Sequence, residues 1–512
     1  MQKGAGFKLN AAIAIAMVML TAAALLQWAP AAAASIADRL TLPDDVRAIV
    51  EANRPVPTLV TPEELEAELS SLLYRYSDFN DEAPANVIRY GVESLKDAET
   101  AKTHISPNEA MEDVDLLFRV FKYGYAGYQF FGGDEAFGKA RSRIMERVRA
   151  CQNAISVDEL ADVIADNLDF IQDGHFYVGG RKLCRVSRFC ADFSREFRMD
   201  GAGRFKSPEG PILVVADGRD PAQYMKPSLS VDGDIVCILG TLAPDGSSGT
   251  DVLLEFDDGT KQVATLNAAM TESNRPEGPC YELTETAGIP MAVCRQLGSF
   301  RGEDEYMNRF VSDAEKLWYE DVVLIDLRSN PGGSSSYPSS WCEILTLRHP
   351  KSLSATVELR TATSAALSES AALLAGRQLG NGVWRRPSDE KRPGWSTFQF
   401  AYERYASDKP LLVVLMDCFS ASASEYFVGS LRYMDNVVFV GTNTSVAYLT
   451  GNVMPLNLPH SSLRVQVTTM LKLEADTKNI DGVGFMPDFW VAPENAVDRA
   501  VAFVRKHILV EH

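Results

Sequence analysis

The sequence predicts an α/β protein with a mainly helical N-terminal domain and a β-rich insert. Three observations predict it. Apolar residues recur at helical spacing over 60–190, and turn-punctuated alternating runs fill 191–295. From 296 to 512, short unbroken apolar runs alternate with helical patterns, the mark of buried strands in an α/β core.

At the N-terminus, Lys3 and Lys8 precede the apolar stretch AAIAIAMVMLTAAALL (11–26), and AAAA follows at 31–34. This is the layout of a secretory signal peptide over 1–34, cleaved near Ala34. The alternative is an uncleaved membrane anchor, although the apolar run is short for a span of roughly 20 residues. No later run is long and apolar enough to cross a bilayer, so the mature chain is expected to be periplasmic or secreted, without a membrane span. A linker over 35–59 leads to Thr61-Pro62-Glu63-Glu64, which reads as a capping box with proline at the first helical position.

Leu65, Leu69, Leu72, Leu73 and Tyr76 then keep helical spacing. A second helical region spans about 108–150. A third starts at the capping box Ser156-Val-Asp-Glu159 and carries Leu160, Val163, Ile164, Leu168 and Ile171 on one face. The domain closes on DGH at 173–175. The insert is read from PILVVADG, GDIVCILGT and DVLLEFDDGTKQVATL, with Asp-Gly turns between runs. The core strands are VVLIDL (322–327), LLVVLM (411–416) and VVFVG (437–441).

The 512 residues suffice for about three domains. With 46% hydrophobic and 23% charged residues the composition is that of a globular protein. A net charge of −19 and the lack of any Lys/Arg-rich run argue against a nucleic-acid partner. Eight cysteines in an exported chain admit disulfides, with Cys184–Cys190 and Cys280–Cys294 as guessed pairs. No CxxC, HExxH or Cys/His cluster has metal-site spacing, so neither a metal nor a cofactor is expected.

Four stretches carry possible chemistry. FSASASEYF (419–427) follows a buried strand, and Ser422-Ala-Ser-Glu425 is either a helix capping box or a nucleophile presented at a helix N-terminus, where free N–H groups stabilise an oxyanion. VVLIDLRSNPGG (322–333) ends in two glycines, which form a plain turn or let backbone N–H groups approach a substrate carbonyl. IQDGHFYVG (171–179) puts His175 just past a helix end, where it is an ordinary histidine or a general base. Of the six histidines, His507 and His512 lie in the tail, and His104, His349 and His460 have unremarkable contexts. NIDGVGFMPDFWV (479–491) holds Asp481 and Asp488, either of which can be a turn residue.

DLRSNPGG, SASASE, GTNT (441–444) and GVGFMPD (482–488), in this order, resemble the successive core motifs of the C-terminal processing peptidase and tricorn-type serine peptidases. The helical region ending in DGH resembles that family's N-terminal domain, and the similarity covers about 110–190 and 300–495. The resemblance implies a crotonase/ClpP-like α/β core and hydrolysis of peptide bonds in a peptide or protein substrate. It places the nucleophile on Ser422 and the oxyanion donors on Gly332, Gly333 and the N–H of Ala423. One branch of the family activates its serine with a lysine, but the matching position here is Ala447. The tricorn-like branch uses a histidine from the earlier domain and an acid near the last motif, which fall on His175 and Asp481. That acid is usually glutamate, and tricorn has a serine where this chain has Gly174. Many processing peptidases also carry a PDZ domain, yet no glycine-rich carboxylate-binding loop is found in 191–295.

The implied chemistry is coherent. Ser422 attacks the scissile carbonyl, His175 takes its proton, Asp481 orients the imidazole, and the Gly332, Gly333 and Ala423 amides bind the oxyanion. Ser420 and Ser424 are read as small polar spacers. The rivals are a catalytically silent member that binds peptide or a small apolar ligand, and an enzyme that recruits Lys472 or Lys478 as base.

Overall fold

The computed structural model describes residues 42–54, 61–96, 102–247, 249–269, 272–273, 277–298, 304–345, 350–374, 388–404, 410–432, 434, 436–474 and 479–509. The expected signal peptide and Lys478 lie outside the described residues. No helix among them is long and apolar enough to cross a membrane.

The N-terminal elements are α1 (Asp44–Asn53), α2 (Pro62–Ser70), α3 (Ala85–Glu93), α4 (Pro107–Gly124), α5 (Gly133–Arg149) and α6 (Val157–Asn167). Three start where the sequence punctuates them. Thr61 and Glu64 cap α2 reciprocally, as Ser106 and Glu109 cap α4, and Ser156 accepts from the Glu159 amide at α6. Each such cap stabilises by about 1 kcal/mol. Helix α1 falls inside the expected linker, and its Val46 and Val50 are buried against the core.

The insert is β5 (Ser187–Met199), β6 (Phe205–Lys206), β7 (Ile212–Ala216), β8 (Met225–Leu229), β9 (Ile235–Pro244), β10 (Thr250–Phe256) and β11 (Lys261–Ala268). Strand β11 pairs back onto β5, closing β5-β6-β7-β10-β11 on itself, with β9 and β8 attached. Closure leaves the ring without an unpaired edge.

The hairpin β12 (Tyr281–Thr286) and β13 (Ile289–Cys294) was expected in the insert. It belongs instead to the core sheet, because β13 runs parallel to β14 (Val322–Asp326). The sheet continues through β17 (Leu411–Met416), β18 (Val437–Gly441) and β21 (Phe489–Trp490). Every residue of β14, β17 and β18 is buried. Alternate side chains serve the two faces. Val323, Ile325, Leu412, Val414 and Phe439 meet Phe310, Trp341 and Phe427 of α7 (Asp304–Leu317), α8 (Ser336–Leu345) and α10 (Ala423–Leu431). Val322, Leu324, Leu411, Val413 and Val438 meet α1 and α11 (Ala496–His507). Each such buried aliphatic side chain contributes about 1.5–3 kcal/mol, and helices on both faces explain why these strands read as unbroken apolar runs.

A second sheet runs β16 (Gln399–Arg404), β15 (Pro350–Glu358), β20 (Arg464–Glu474), β3 (Tyr177–Val178) and β4 (Arg181–Lys182), with β19 (Thr450–Asn457) on β20. Its strands share one core with the N-terminal helices: Met454, Leu456, Val465 and Val467 pack with Val114, Phe121, Ile164 and Phe176. The helical region is thus completed by strands taken from the far end of the chain. None of the eight cysteines is in a disulfide, so neither guessed pair is formed. In the hairpin, Cys294 faces Tyr281, not Cys280.

Candidate active site

Strand β17 ends at Met416, and a loop of five residues leads to Ser422 at the head of α10. The loop is fastened to the end of the neighbouring strand β14. Both Asp417 carboxylate oxygens accept from the Ser329 amide at 3.0 Å, and Ser420 Oγ donates to the Leu327 carbonyl at 2.8 Å. The Ala421 amide and Ser424 Oγ both donate to the Asn330 carbonyl, at 2.9 and 3.2 Å. Ser420 and Ser424 are therefore fasteners rather than spacers.

Ser422 itself has φ 55 and ψ −115. For a non-glycine residue this costs on the order of 1–3 kcal/mol, and such strain persists only where surroundings enforce it. Glu425 closes its half of the expected capping box, since its carboxylate accepts from the Ser422 amide at 3.1 Å. The Ser422 hydroxyl stands at the N-cap of α10. It lies 3.0 Å from His175 Nε2.

Glu425 is buried and also accepts from the Val446 and Ala447 amides and from Thr444 Oγ1, at 2.8, 2.6 and 2.7 Å. Burial pushes its carboxyl upward, against the pull of these donors. The GTNT segment and the Ala447 position are thereby tied to the serine's own helix.

The oxyanion residues divide. Gly332 (φ 96) meets the serine turn so closely that a Cβ there would stand 2.7 Å from Ser422 Cβ and 2.8 Å from the Ala423 nitrogen. Its own N–H is taken by Asn330 Oδ1 at 2.9 Å. The Gly333 and Ala423 N–H groups carry no such bond among the described residues. Gly332 is the residue that lets the two segments approach. Asn330, fully buried, braces this turn by donating to the Cys294 carbonyl at 2.7 Å.

His175 follows α6 on the turn that enters β3, and it is 9% exposed. Asp173 Oδ1 accepts from the His175 amide at 2.8 Å, while Gln466 donates to the His175 carbonyl at 2.7 Å. Burial lowers the imidazole pKa most, Asp173 raises it, Lys182 lowers it, and the Thr450 backbone raises it. Among the described residues, Nδ1 is buried without a hydrogen-bond partner.

The structure does not bring Asp481 to that nitrogen. Its carboxylate accepts from the Gly174 amide at 3.0 Å and from the Tyr448 and Leu449 amides at 2.9 and 3.1 Å. The short aspartate reaches the backbone before the histidine and stops there. Gly174 also has no room for a side chain, because a Cβ would fall 1.7 Å from the Val446 carbonyl oxygen. Asp488, the other acid of this loop, lies elsewhere in a buried pair with Arg54 at 2.8 Å.

Sequence reasoning missed Asp173, Asn330 and Asp417 as parts of this site. Asp173 and Asn330 stood inside quoted motifs; their long-range partners left no local signal. The lysine rivals fare differently. Lys478 is outside the described residues, and Lys472 Nζ donates to Tyr448 Oη at 2.5 Å and pairs with Glu474 at 3.3 Å.

Residues 296–491 match the model of peptidase family S41. The match covers the part of the chain that carries the core strands, the Ser422 turn and the Asp481 loop. Among solved structures, mature CPAF complexed with lactacystin is similar at 15% identity, over 78% of this chain and 98% of that chain, with a TM-score of 0.42. A putative peptidase from Parabacteroides merdae ATCC 43184 is similar at 16% identity, over 79% and 95%, with a TM-score of 0.38. The photosystem II D1 C-terminal processing protease is similar at 14% identity, over 77% and 97%, with a TM-score of 0.35. The match supports a serine-type peptidase, and the fold has the expected α/β core, N-terminal helical region and β-rich insert.

Proposed function

We propose that this protein is an S41 peptidase that cleaves peptide or protein substrates through an acyl-enzyme on Ser422, with His175 as general base, after export directed by residues 1–34. The observation that carries the reading is the 3.0 Å contact between Ser422 Oγ and His175 Nε2. A serine hydroxyl is a weak nucleophile at neutral pH, and a neutral imidazole at hydrogen-bond distance is what activates it. Oγ attacks the scissile carbonyl as its proton passes to Nε2. The Gly333 and Ala423 N–H groups take the oxyanion. The imidazolium then protonates the leaving amine, and water repeats the sequence on the acyl-enzyme. Asp481 acts on the peptide that precedes the histidine rather than on its ring, holding Gly174 in place.

A fluorophosphonate probe tests this. It is expected to label the wild type and not Ser422→Ala. The labelling rate rises with pH through a limb below the ordinary histidine value of about 6.5, because burial favours the neutral ring. A folded wild type that stays unlabelled from pH 5 to 9 overturns the reading in favour of a silent, peptide-binding member. For export, the chain recovered from outside the cytoplasm is expected to begin just after Ala34.

A further inference from the structure

The base lacks the partner that would normally stabilise it. His175 Nδ1 is buried and unpaired among the described residues, and Asp481 spends its hydrogen bonds on three amides. When Nε2 accepts the serine proton, a buried positive charge appears whose ring meets the Thr450 backbone and no carboxylate hydrogen bond. A charge of that kind is costly unless a fixed counter-charge stands nearby.

We infer that Asp173 is the positioning residue that supplies this counter-charge, acting through the His175 backbone and across space instead of through a bond to the ring. This rests on the Ser422–His175 reading. Asp173 is fully buried and two residues from the base. Its carboxylate accepts from the His175 amide (2.8 Å), from Tyr125 Oη (2.8 Å), from Thr450 Oγ1 (2.9 and 2.8 Å to its two oxygens) and from Thr468 Oγ1 (3.5 Å). Four donors converge on this one buried carboxylate and fix its place beside the base. Thr450 comes from 277 positions away, so the acid is clamped between the helical region and the second sheet.

The other groups facing this pocket do not supply the charge. Lys182 on β4 opposes an imidazolium. Asp481 is pushed well above the ordinary carboxylate range, first by burial and then by Asp173 and Glu425. Glu425 is pushed up by burial and is engaged by Ser422, Thr444, Val446 and Ala447. The Cys184 thiol is pushed up to about 12, and the Tyr125 hydroxyl is pushed far up as well, both mainly by burial, so both stay neutral.

The test is the pH dependence of fluorophosphonate labelling in the full chain. Asp173→Asn keeps an acceptor for the His175 amide and removes the charge. Its labelling limb is expected to move down by about one pH unit, and its plateau rate to fall by about tenfold or more. Asp173→Ser, which also keeps an acceptor, is expected to move the limb the same way and serves if the asparagine variant does not fold. Asp481→Asn is expected to leave the limb where it is. A folded Asp173 variant with the wild-type limb and plateau overturns the inference, because loss of packing alone does not shift a limb. Failure of the wild type to label overturns the Ser422–His175 reading instead, so the two failures are distinguishable.

Discussion

The two sides of the proposed catalytic contact are built in opposite ways. Ser422 sits on a contiguous strand–turn–helix, and its loop is fastened mainly to the end of the adjacent parallel strand. His175 sits on the turn between α6 and the two-residue strand β3. Asp173 accepts from its amide, Asp481 from the amide of Gly174, 307 positions before it, and Gln466 of β20 donates to its carbonyl. Backbone geometry sets the nucleophile; buried charge and long-range contacts set the base. A site divided like this fails in two distinguishable ways, and substitutions on each side separate them.

The largest effect is expected on the base side. His175→Ala leaves Ser422 without a proton acceptor and is predicted to lower the fluorophosphonate labelling rate by about 10⁴-fold or more. Circular dichroism is expected to stay native, because the Ser422 loop keeps all its other fastenings. On the nucleophile side, Gly332→Ala puts a Cβ against the serine turn at a φ of 96. It should displace the Gly333 and Ala423 donors and cost about 10²–10³-fold in rate, the cost of losing one oxyanion donor. A rate unchanged by this substitution would mean that the glycine turn takes no part in the oxyanion site.

A third substitution asks whether the nucleophile half depends on a remote charge, as the base half does. Arg54 and Asp488 form a buried pair that ties the end of α1 to the last motif, and Arg54 also donates to the Val437 carbonyl at 2.7 Å. Arg54→Ala leaves Asp488 buried without its counter-charge and is predicted to destabilise by about 3–5 kcal/mol in urea unfolding at pH 7 to 8. Burial already holds the Asp488 carboxyl above its ordinary value, and Arg54 opposes that rise. Without Arg54 the folded-state value climbs further, so stability is lost as pH rises through it. The gap from wild type is widest at neutral pH and narrows as pH falls toward the unfolded value of about 4. The labelling rate of the molecules that remain folded is expected to be unchanged.

The same division governs what could be read from the chain. The turns at 327–333 and 417–422 follow buried strands and carry glycine and serine at fixed offsets, so the nucleophile half was legible, as were the caps at Thr61, Ser106 and Ser156. Two boundaries were not. Strand β13 joins β14, and β19 and β20 complete the helical core, because sheet partners are chosen by packing that leaves no mark in a local window. For the same reason Asp481 was recognisable as important while its target was not. An acid near the last motif was expected at the imidazole, and the side chain proved to meet the Gly174, Tyr448 and Leu449 amides. Asp173 was visible in DGH, but its role depends on Tyr125 and Thr450, which no spacing connects to it.

The smallest effect is expected at Lys472, where the comparison is sharpest. A lysine base belongs to the nucleophile half in related enzymes, and here its position is filled by Ala447, whose amide is engaged by Glu425. Lys472 is buried, and its ammonium lies 3.5 Å from the centre of the Tyr426 ring and 4.2 Å from that of Tyr448. With Glu474 also beside it, the charge is compensated by two π faces and a carboxylate. Its ammonium is engaged by Tyr448 Oη and Glu474. Lys472→Met, which keeps the length of the apolar stem, is predicted to change the labelling rate by no more than about threefold. The pH limb set by His175 should stay in place. Loss of labelling in Lys472→Met, alongside retained labelling in His175→Ala, would transfer the base from the helical side of the contact to the strand that carries Lys472.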